Sequence, residues 1–371
     1  MPETSRTDSV RIARVELRDF RCFSRYELDL SNQITLIAGA NGSGKTSLLE
    51  AIHYGCYLRS FRSSVPKELI RFGQEGFFVG IDTERVCDQQ TTDHRLQVGF
   101  ATGKRLVKAD GKRIGTYKEL IDHLRVICLT EDDLELVKGS PQARRLFLDQ
   151  ALLLQNPDYG QQVRHYRQVL NNRNALLRGG AWRADTYGVL TEQLWSASYR
   201  MEEARSVLLA ALADALNGVL ATHFDDQLRV ALRYRSTANG HHTFAEFEKE
   251  LSRIEPQERR FGRSVFGAHL DDFAIDFCQK SARCFASRGQ QKLMTMLFKV
   301  AQIELVCRVT GVRPAFLIDD FMTDFDESIA RKLLQALHDY GLQLVFTSPS
   351  FYCFLSNTLL DMGASRVDVS N

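Results

Sequence analysis

The 371-residue sequence predicts an α/β fold: a sheet covered by helices on both faces, a β-rich N-terminal subdomain, and an inserted all-helical domain. Three observations carry that expectation. A glycine-rich stretch, Gly39-Ala40-Asn41-Gly42-Ser43-Gly44-Lys45-Thr46, separates the apolar run Ile34-Thr35-Leu36-Ile37-Ala38 from Leu48, Ile52 and Cys56 at helical spacing. From Ser140-Pro141 to about Leu251 apolar residues recur three or four apart. Beyond Arg260 strand-like and helix-like stretches alternate again.

Residues from Val10 to about Leu129 read as β-rich, with alternation at Val15, Leu17 and Phe20, then at Tyr26, Leu28 and Leu30, and strands over Leu96 to Phe100 and Arg105 to Ile114. The middle is helical, as in Leu146, Leu153, Tyr166, Val169, Leu170, Leu176 and Leu177, and in Leu208, Leu209, Leu212, Leu216 and Leu220. Towards the C-terminus Ser287 caps a long helix running to about Val309, and Phe316 to Ile318 is a strand. Asp326 caps a helix bearing Ile329, Leu333, Leu337 and Tyr340, which Gly341 ends, and Leu342 to Thr347 is the last buried strand. The expected domains are 1–130, 131–258 and 259–371.

With 44% apolar and 25% charged residues, the composition is that of an ordinary globular protein. No apolar run reads as a membrane span, and the polar start Met1 to Arg11 lacks the apolar centre of a secretory signal, so a cytoplasmic protein with no membrane partner is expected. Eight cysteines lack any C-x-x-C spacing, mostly fall in apolar runs, and read as buried reduced thiols. A net charge of +2 announces no polyanion partner, and the local distribution says more. Lys104, Arg105, Lys108, Lys112 and Arg113 crowd around the hairpin turn Asp110-Gly111, with Asp110 alone opposing them, a candidate DNA-phosphate contact. A second basic stretch, Arg144, Arg145, Arg164, Arg167, Arg173, Arg178 and Arg183, reads either as a DNA surface or as a solvated helix face with internal ion pairs.

The glycine-rich stretch fits the pattern G-x-x-x-x-G-K-[ST], in which backbone N–H groups curl around phosphate oxygens because no Cβ stands in the way. Gly39, Ala40, Asn41, Gly42, Ser43, Gly44, Lys45, Thr46 and Ser47 are therefore candidate nucleotide contacts. Lys45 would reach the β- and γ-phosphates, and Thr46 would place its hydroxyl on Mg²⁺. Leu317-Ile318-Asp319-Asp320 is an apolar strand ending in two acids. Asp319 is the candidate Mg²⁺ organiser, and Asp320 the candidate general base that orients or deprotonates the attacking water. Ser287-Arg288-Gly289-Gln290 opens a helix with a capping hydroxyl and a nest of N–H donors suited to a γ-phosphate.

The order P-loop, signature, metal strand is that of the ATP-binding-cassette heads. Several stretches together resemble the RecF family of bacterial recombination mediators, relatives of the SMC heads. They are Val15-Glu16-Leu17-Arg18-Asp19-Phe20-Arg21, Gly39 to Ile52, Arg59-Ser60-Phe61-Arg62, Lys138-Gly139-Ser140-Pro141 with Arg144-Arg145 and Leu148-Asp149, Asn172 to Leu177, Gly267 to Asp272, Ser287 to Gln290, and Leu317 to Asp320. The resemblance implies ATP and Mg²⁺ sandwiched between two protomers, with the signature Ser287, Arg288, Gly289 and Gln290 acting in trans. It further implies slow, DNA-stimulated ATP hydrolysis, recognition of duplex DNA near single-strand gaps, and recombinase loading with RecO and RecR, while Arg59 or Arg62 could report DNA to the nucleotide.

The chain also departs from the family pattern. Thr323-Asp324-Phe325-Asp326 replaces the usual Ser-Glu-Leu-Asp, and Ala268 and Leu270 flank His269 in place of proline and arginine, so His269 reads as a structural imidazole. Thr347-Ser348 stands where transporter heads carry a switch histidine, and about ten N-terminal residues are extra. Two other readings remain: an SMC- or ABC-type head with another role, and a nucleotide-dependent scaffold with decayed catalysis, since the usual glutamate base is here an aspartate.

Overall fold

The computed structural model describes residues 8–87, 90–179, 183–237, 241–349 and 354–370. Strands β1 (Asp8–Phe20), β2 (Phe23–Asp29) and β3 (Ile34–Ala38) lead into helix α1 (Lys45–Tyr57). Strands β4 (Gly76–Cys87), β5 (Gln90–Ala101), β6 (Lys104–Ala109) and β7 (Lys112–Arg113) follow, then α2 (Tyr117–His123) and β8 (Val126–Leu129). Next come α3 (Glu135–Lys138), α4 (Pro141–Gln155), α5 (Tyr159–Arg178) and α6 (Ala184–His223), then β9 (Val230–Arg235), α7 (Phe244–Glu248) and α8 (Leu251–Phe261). The remainder is β10 (Asp272–Phe277), β11 (Lys280–Ser281), α9 (Ala282–Phe285), α10 (Arg288–Thr310), β12 (Val312–Arg313), β13 (Ala315–Ile318), α11 (Glu327–Asp339), β14 (Leu344–Ser348), α12 (Phe354–Asp361) and β15 (Ser365–Asp368).

The chain divides into two compact units. The first comprises Met1–Leu134, Val219–Asp225 and Lys292–Asn371. It holds a five-stranded sheet in the order β15-β3-β14-β13-β8, parallel throughout. Strands β3, β13 and β14 are buried along their whole length, as the near-continuous apolar runs of a doubly covered parallel sheet require. A second sheet, β12-β1-β4-β5-β6-β7 with β2 paired to β1, is antiparallel apart from the β1–β12 pairing. Leu48, Ile52 and Cys56, the helical stripe read from the sequence, are wholly buried with Val15, Leu17, Val79 and Ile81 in one core.

The second unit, Glu135–Gly218 and Asp226–Gln291, corrects the domain expectation in two ways. Its C-terminal boundary falls between Gln291 and Lys292, not at 258/259, because β9, β10 and β11 pair with one another. For the same reason the insertion is not all helical: it carries that three-stranded antiparallel sheet, whose β10 lies beyond the expected boundary. Its core gathers Tyr159, Tyr166, Val169, Leu194, Trp195 and Phe266.

Three smaller expectations change. Leu344–Ser348 is not the last strand, since β15 pairs with the far edge of β3. Among the described cysteines, Cys22, Cys87, Cys278 and Cys284 are exposed and Cys56 alone is fully buried; Cys353 lies outside the described residues. Helix α6 contains an 18-residue window with mean hydropathy 1.4, apolar and long enough by composition for a membrane span, and 44% of that window is buried inside the protein.

Candidate nucleotide site

The P-loop begins where β3 ends, and space requires two of its glycines, Gly39 and Gly44. A Cβ on Gly39 would stand 2.6 Å from the Val369 carbonyl and 2.7 Å from Ser43 Oγ, and one on Gly44 would meet the Phe23 ring at 2.6 Å. Gly42 and Gly44 have φ of +83° and +102°, the left-handed region that glycine enters without steric cost. Lys45, 5% exposed, opens α1 and folds back so that Nζ donates to the carbonyls of Gly39 at 3.0 Å and Ala40 at 3.1 Å. Ser43 Oγ is buried with no hydrogen-bond partner among the described residues. Close-packed glycines, an orphaned hydroxyl and a buried ammonium make a donor set that fits a polyphosphate.

Sheet order brings the acids to this loop. Strand β14 lies between β3 and β13, so its C-terminal Thr347 is placed between the P-loop and Asp319-Asp320. Thr46 Oγ1 donates to Asp319 Oδ1 at 3.0 Å. Thr347 Oγ1 lies 2.9 Å from Asp319 Oδ1 and 3.0 Å from Asp320 Oδ1, one hydroxyl proton shared between two carboxylates, and it accepts from the Asp320 N–H at 2.8 Å. Asp320 has φ +49°, a strained backbone conformation of the kind that collects at functional sites. Burial pushes the Asp319 carboxyl above its ordinary range and the Asp320 charge adds to this, against the hydrogen bonds from Thr347 and Thr46. A half-buried carboxylate beside a threonine hydroxyl is a hard-oxygen pair that fits Mg²⁺.

The signature residues belong to the second unit. Ser287, Arg288, Gly289 and Gln290 are all exposed. Ser287 Oγ accepts from the Gln290 N–H at 3.3 Å, and Gln290 Oε1 accepts from the Ser287 N–H at 2.9 Å, a reciprocal cap that explains why α10 starts here.

Comparison with known proteins gives the family. The profile of the RecF/RecN/SMC N terminal domain matches residues 11–355. The DNA replication and repair protein RecF of Herpetosiphon aurantiacus is 30% identical over 377 residues, covering 96% of this chain and 98% of that protein. The chain belongs to the RecF family. RecF of Anaeromyxobacter dehalogenans is 33% identical over 350 residues, covering 91% of this chain and 92% of that one. In fold, the recombination mediator protein RecF-ATP of the RecFOR pathway superposes with a TM-score of 0.83 at 24% identity, over 94% of both chains. The Smc head domain of Pyrococcus furiosus superposes less closely, at 0.52 with 16% identity over 94% of this chain and 92% of that one.

In this RecF-family chain, helix α1 ties the P-loop to the arginines noted in the sequence. Glu50, wholly buried, takes a two-pronged ion pair from Arg21 at 2.7 and 2.8 Å and the Ser60 hydroxyl at 2.5 Å, with Arg62 at 3.9 Å. His53 bonds the Arg59 carbonyl through Nδ1 at 2.9 Å, and burial pushes its imidazole down to about 4, so it is neutral and Nδ1–H is the donor. Segment 59–62 is thereby fastened to the helix that presents Lys45 and Thr46. Arg62 also acts electrostatically on Asp319, lowering its pKa.

Lys104, Arg105, Lys112 and Arg113 are exposed and Lys108 half-buried, and the hairpin turn is as expected, with Asp110 and Gly111 at φ +48° and +78°. A surface groove of 530 Å³ opens beside it, lined by Arg18, Phe78, Lys104, Arg105 and Arg113 among others. The second basic stretch divides: Arg164, Arg167, Arg178 and Arg183 are exposed, whereas the other three arginines make internal contacts. Arg144 pairs with Asp272 at 2.6 Å, Arg145 reaches the Asp271 carbonyl at 2.6 Å, and Arg173 pairs with Glu258 with both side chains fully buried. His269 is likewise a packing residue, its Nδ1 2.6 Å from Tyr166 Oη. Sequence reasoning named Glu50 and Arg21 only within the family-like stretches and missed their pairing, for which an acid on the apolar helix after the P-loop was the available signal. It noted Thr347 only as standing in another residue's place. The side chains of Thr323 and Asp324 lie outside the described residues, while Asp326 caps α11 by accepting from the Ile329 N–H.

Proposed function

We propose that this chain is an ATP-dependent DNA-binding protein of recombinational repair and replication-fork restart. It dimerises on ATP, hydrolyses it slowly, and serves as a switch in the cytoplasm. The observation that carries the reading is the convergence of Lys45, Thr46, Asp319, Thr347 and Asp320 at the carboxyl ends of three adjacent parallel strands, the region where open α/β sheets bind ligands.

Lys45 exchanges the Gly39 and Ala40 carbonyls for β- and γ-phosphate oxygens, and the loop N–H groups take the remaining phosphate charge. Thr46 and Asp319 would hold Mg²⁺, which when bound neutralises charge on the β- and γ-oxygens. Asp320 accepts a proton from the attacking water, and Thr347 fixes the orientation of its carboxylate. The exposed Ser287 to Gln290 nest supplies the donors that complete the site on a second copy. Duplex DNA near single-strand gaps contacts the Lys104 to Arg113 hairpin, and Arg59 and Arg62 pass its presence to α1 through Glu50 and His53. RecR, with RecO, is the expected protein partner in recombinase loading.

The test is ATP turnover and duplex binding by the chain and by Lys45→Ala. The proposal expects turnover to rise with gapped duplex, and ATP-dependent DNA binding to vanish in the variant. Turnover indifferent to DNA in the unaltered chain would refute the DNA-linked switch. Asp320 in the place of the longer glutamate supports a second reading, a nucleotide-gated scaffold that turns over little; in that case Asp320→Asn leaves both turnover and dimers as they were.

A further inference from the structure

Three side chains from separate elements of the first unit meet beside the basic hairpin: His94 of β5, Asp110 at the β6–β7 turn, and His123, the last residue of α2. One donor atom from each lies within 4.8 Å of the other two. We propose that His94, Asp110 and His123 form a site for a divalent transition-metal ion of the zinc class, with two imidazole nitrogens, one carboxylate oxygen and a fourth position left to water.

The arrangement around the donors supports ligation more than a chance surface pair does. Asp110 Oδ1 is already occupied, accepting the Arg95 N–H at 2.8 Å, while the Asp110 N–H returns to the Arg95 carbonyl at 2.9 Å. These two bonds fix the carboxylate so that Oδ2 faces His94 Nδ1 at 2.8 Å. The other nitrogen of His94, Nε2, has its own partner in Thr92 Oγ1 at 3.2 Å, and Thr92 Oγ1 lies 3.5 Å from the Arg85 carbonyl as a donor. When Nε2–H donates to Thr92 and the Thr92 hydroxyl to the Arg85 carbonyl, the Nδ1 lone pair is left for a metal ion, which displaces the Nδ1 proton otherwise donated to Asp110 Oδ2; that proton leaves to solvent.

An outer partner that orients each ligand is the pattern of metal sites. His123 completes the set with its ring centroid 6.0 Å from that of His94. A tetrahedral zinc with bonds of about 2.0–2.1 Å spaces its ligands about 3.4 Å apart, so modest side-chain rotation closes the cluster. The bound ion would neutralise Asp110, the acid opposing the five basic residues of the hairpin, and fasten the turn to α2. The nucleotide site's Thr46 and Asp319 offer only hard oxygens and suit a different ion.

The inference does not depend on what the hairpin binds, and it is tested on the full nucleotide-free chain in excess Mg²⁺ by titrating Zn²⁺ against a chromophoric chelator. One equivalent is expected to bind. The double variant His94→Ala/His123→Ala should lose that equivalent, and Thr92→Val, which removes only an outer partner, should weaken it about tenfold. Because the double variant could misfold, Co²⁺ substitution in the unaltered chain gives an independent readout. Visible bands of a four-coordinate ion without a sulfur-to-cobalt charge-transfer band are expected. No stoichiometric uptake by the unaltered chain, uptake unchanged in the folded double variant, or a thiolate band pointing to the exposed cysteines would each overturn the assignment.

Discussion

The Thr46 hydroxyl donates to Asp319 Oδ1 across 3.0 Å, joining residues 273 positions apart in sequence. That bond closes the P-loop helix against the strand that ends in the acids, and it exists because β14 spaces β3 from β13 by one strand. Its partner carboxyl is held above the ordinary carboxylate range, chiefly by burial. Without Mg²⁺, Asp319 therefore costs stability at neutral pH.

The sign of that cost makes a prediction for Asp319→Asn. A carboxyl whose folded pKa is raised binds more protons in the folded state, so its stabilising contribution is full below the unfolded value and is lost as pH rises through the raised one. In metal-free buffer the asparagine variant should melt higher than the unaltered chain at pH 7. The gap should close as pH falls through the carboxylate range, while Mg²⁺-dependent turnover is abolished. Thermal melts across that range, paired with turnover assays, check both parts. A variant that melts lower at pH 7 would show that burial of Asp319 carries no such cost.

Thr347→Val removes the hydroxyl shared by Asp319 and Asp320 and leaves the Asp320 N–H without its partner. Misplacement of the base should lower kcat about tenfold to a hundredfold with little change in nucleotide affinity, and Thr347→Ser should restore most of the loss. Equal losses in affinity and kcat would indicate that Thr347 shapes the fold of the site and does not position Asp320.

Arg21 and Arg62 both face Glu50, but they should differ sharply on substitution. Arg21→Ala strands a wholly buried carboxylate and should cost about 3 kcal/mol, seen as a large drop in melting temperature. Arg62 is half-exposed and 3.9 Å away, so Arg62→Ala should cost about 0–1 kcal/mol. The proposed relay predicts that Arg62→Ala nonetheless loses the stimulation of turnover by DNA. If the stimulation survives, Arg62 is no reporter.

For the hairpin, each basic side chain that touches a phosphate should contribute about 0.9 to the slope of log affinity against log salt. Replacing Lys104, Arg105, Lys112 and Arg113 together by alanine should weaken duplex binding and reduce that slope by up to about 3.6. An unchanged slope would move the DNA contact to another face.

Local chemistry made the site legible. The Gly39 to Thr46 spacing, the strand before it, the helical stripe after it, the Ser287 cap and the acids at the end of an apolar strand each leave a signature within a few residues. What sequence did not reveal depended on partners far along the chain. Strand β15 is short and half-exposed, without an apolar run to mark it, and its place is set by pairing with β3. The three-stranded sheet of the second unit joins strands on either side of the expected boundary, so the helical periodicity around it dominated the reading. For Arg173 the sequence leaves a basic surface and an internal ion pair equally open, because its partner in the core, Glu258, lies 85 positions away. The same limit applied to His94, Asp110 and His123, whose convergence comes from strand register and the end of α2.

In the proposed arrangement each copy supplies half of the other's nucleotide site. Light scattering of the purified chain with Mg²⁺, with and without ATP, beside Ser287→Arg, tests it most directly. The predicted result is a doubling of mass on ATP that disappears in the variant. ATP turnover by a chain that stays monomeric, or a variant that still dimerises fully on ATP, would contradict it.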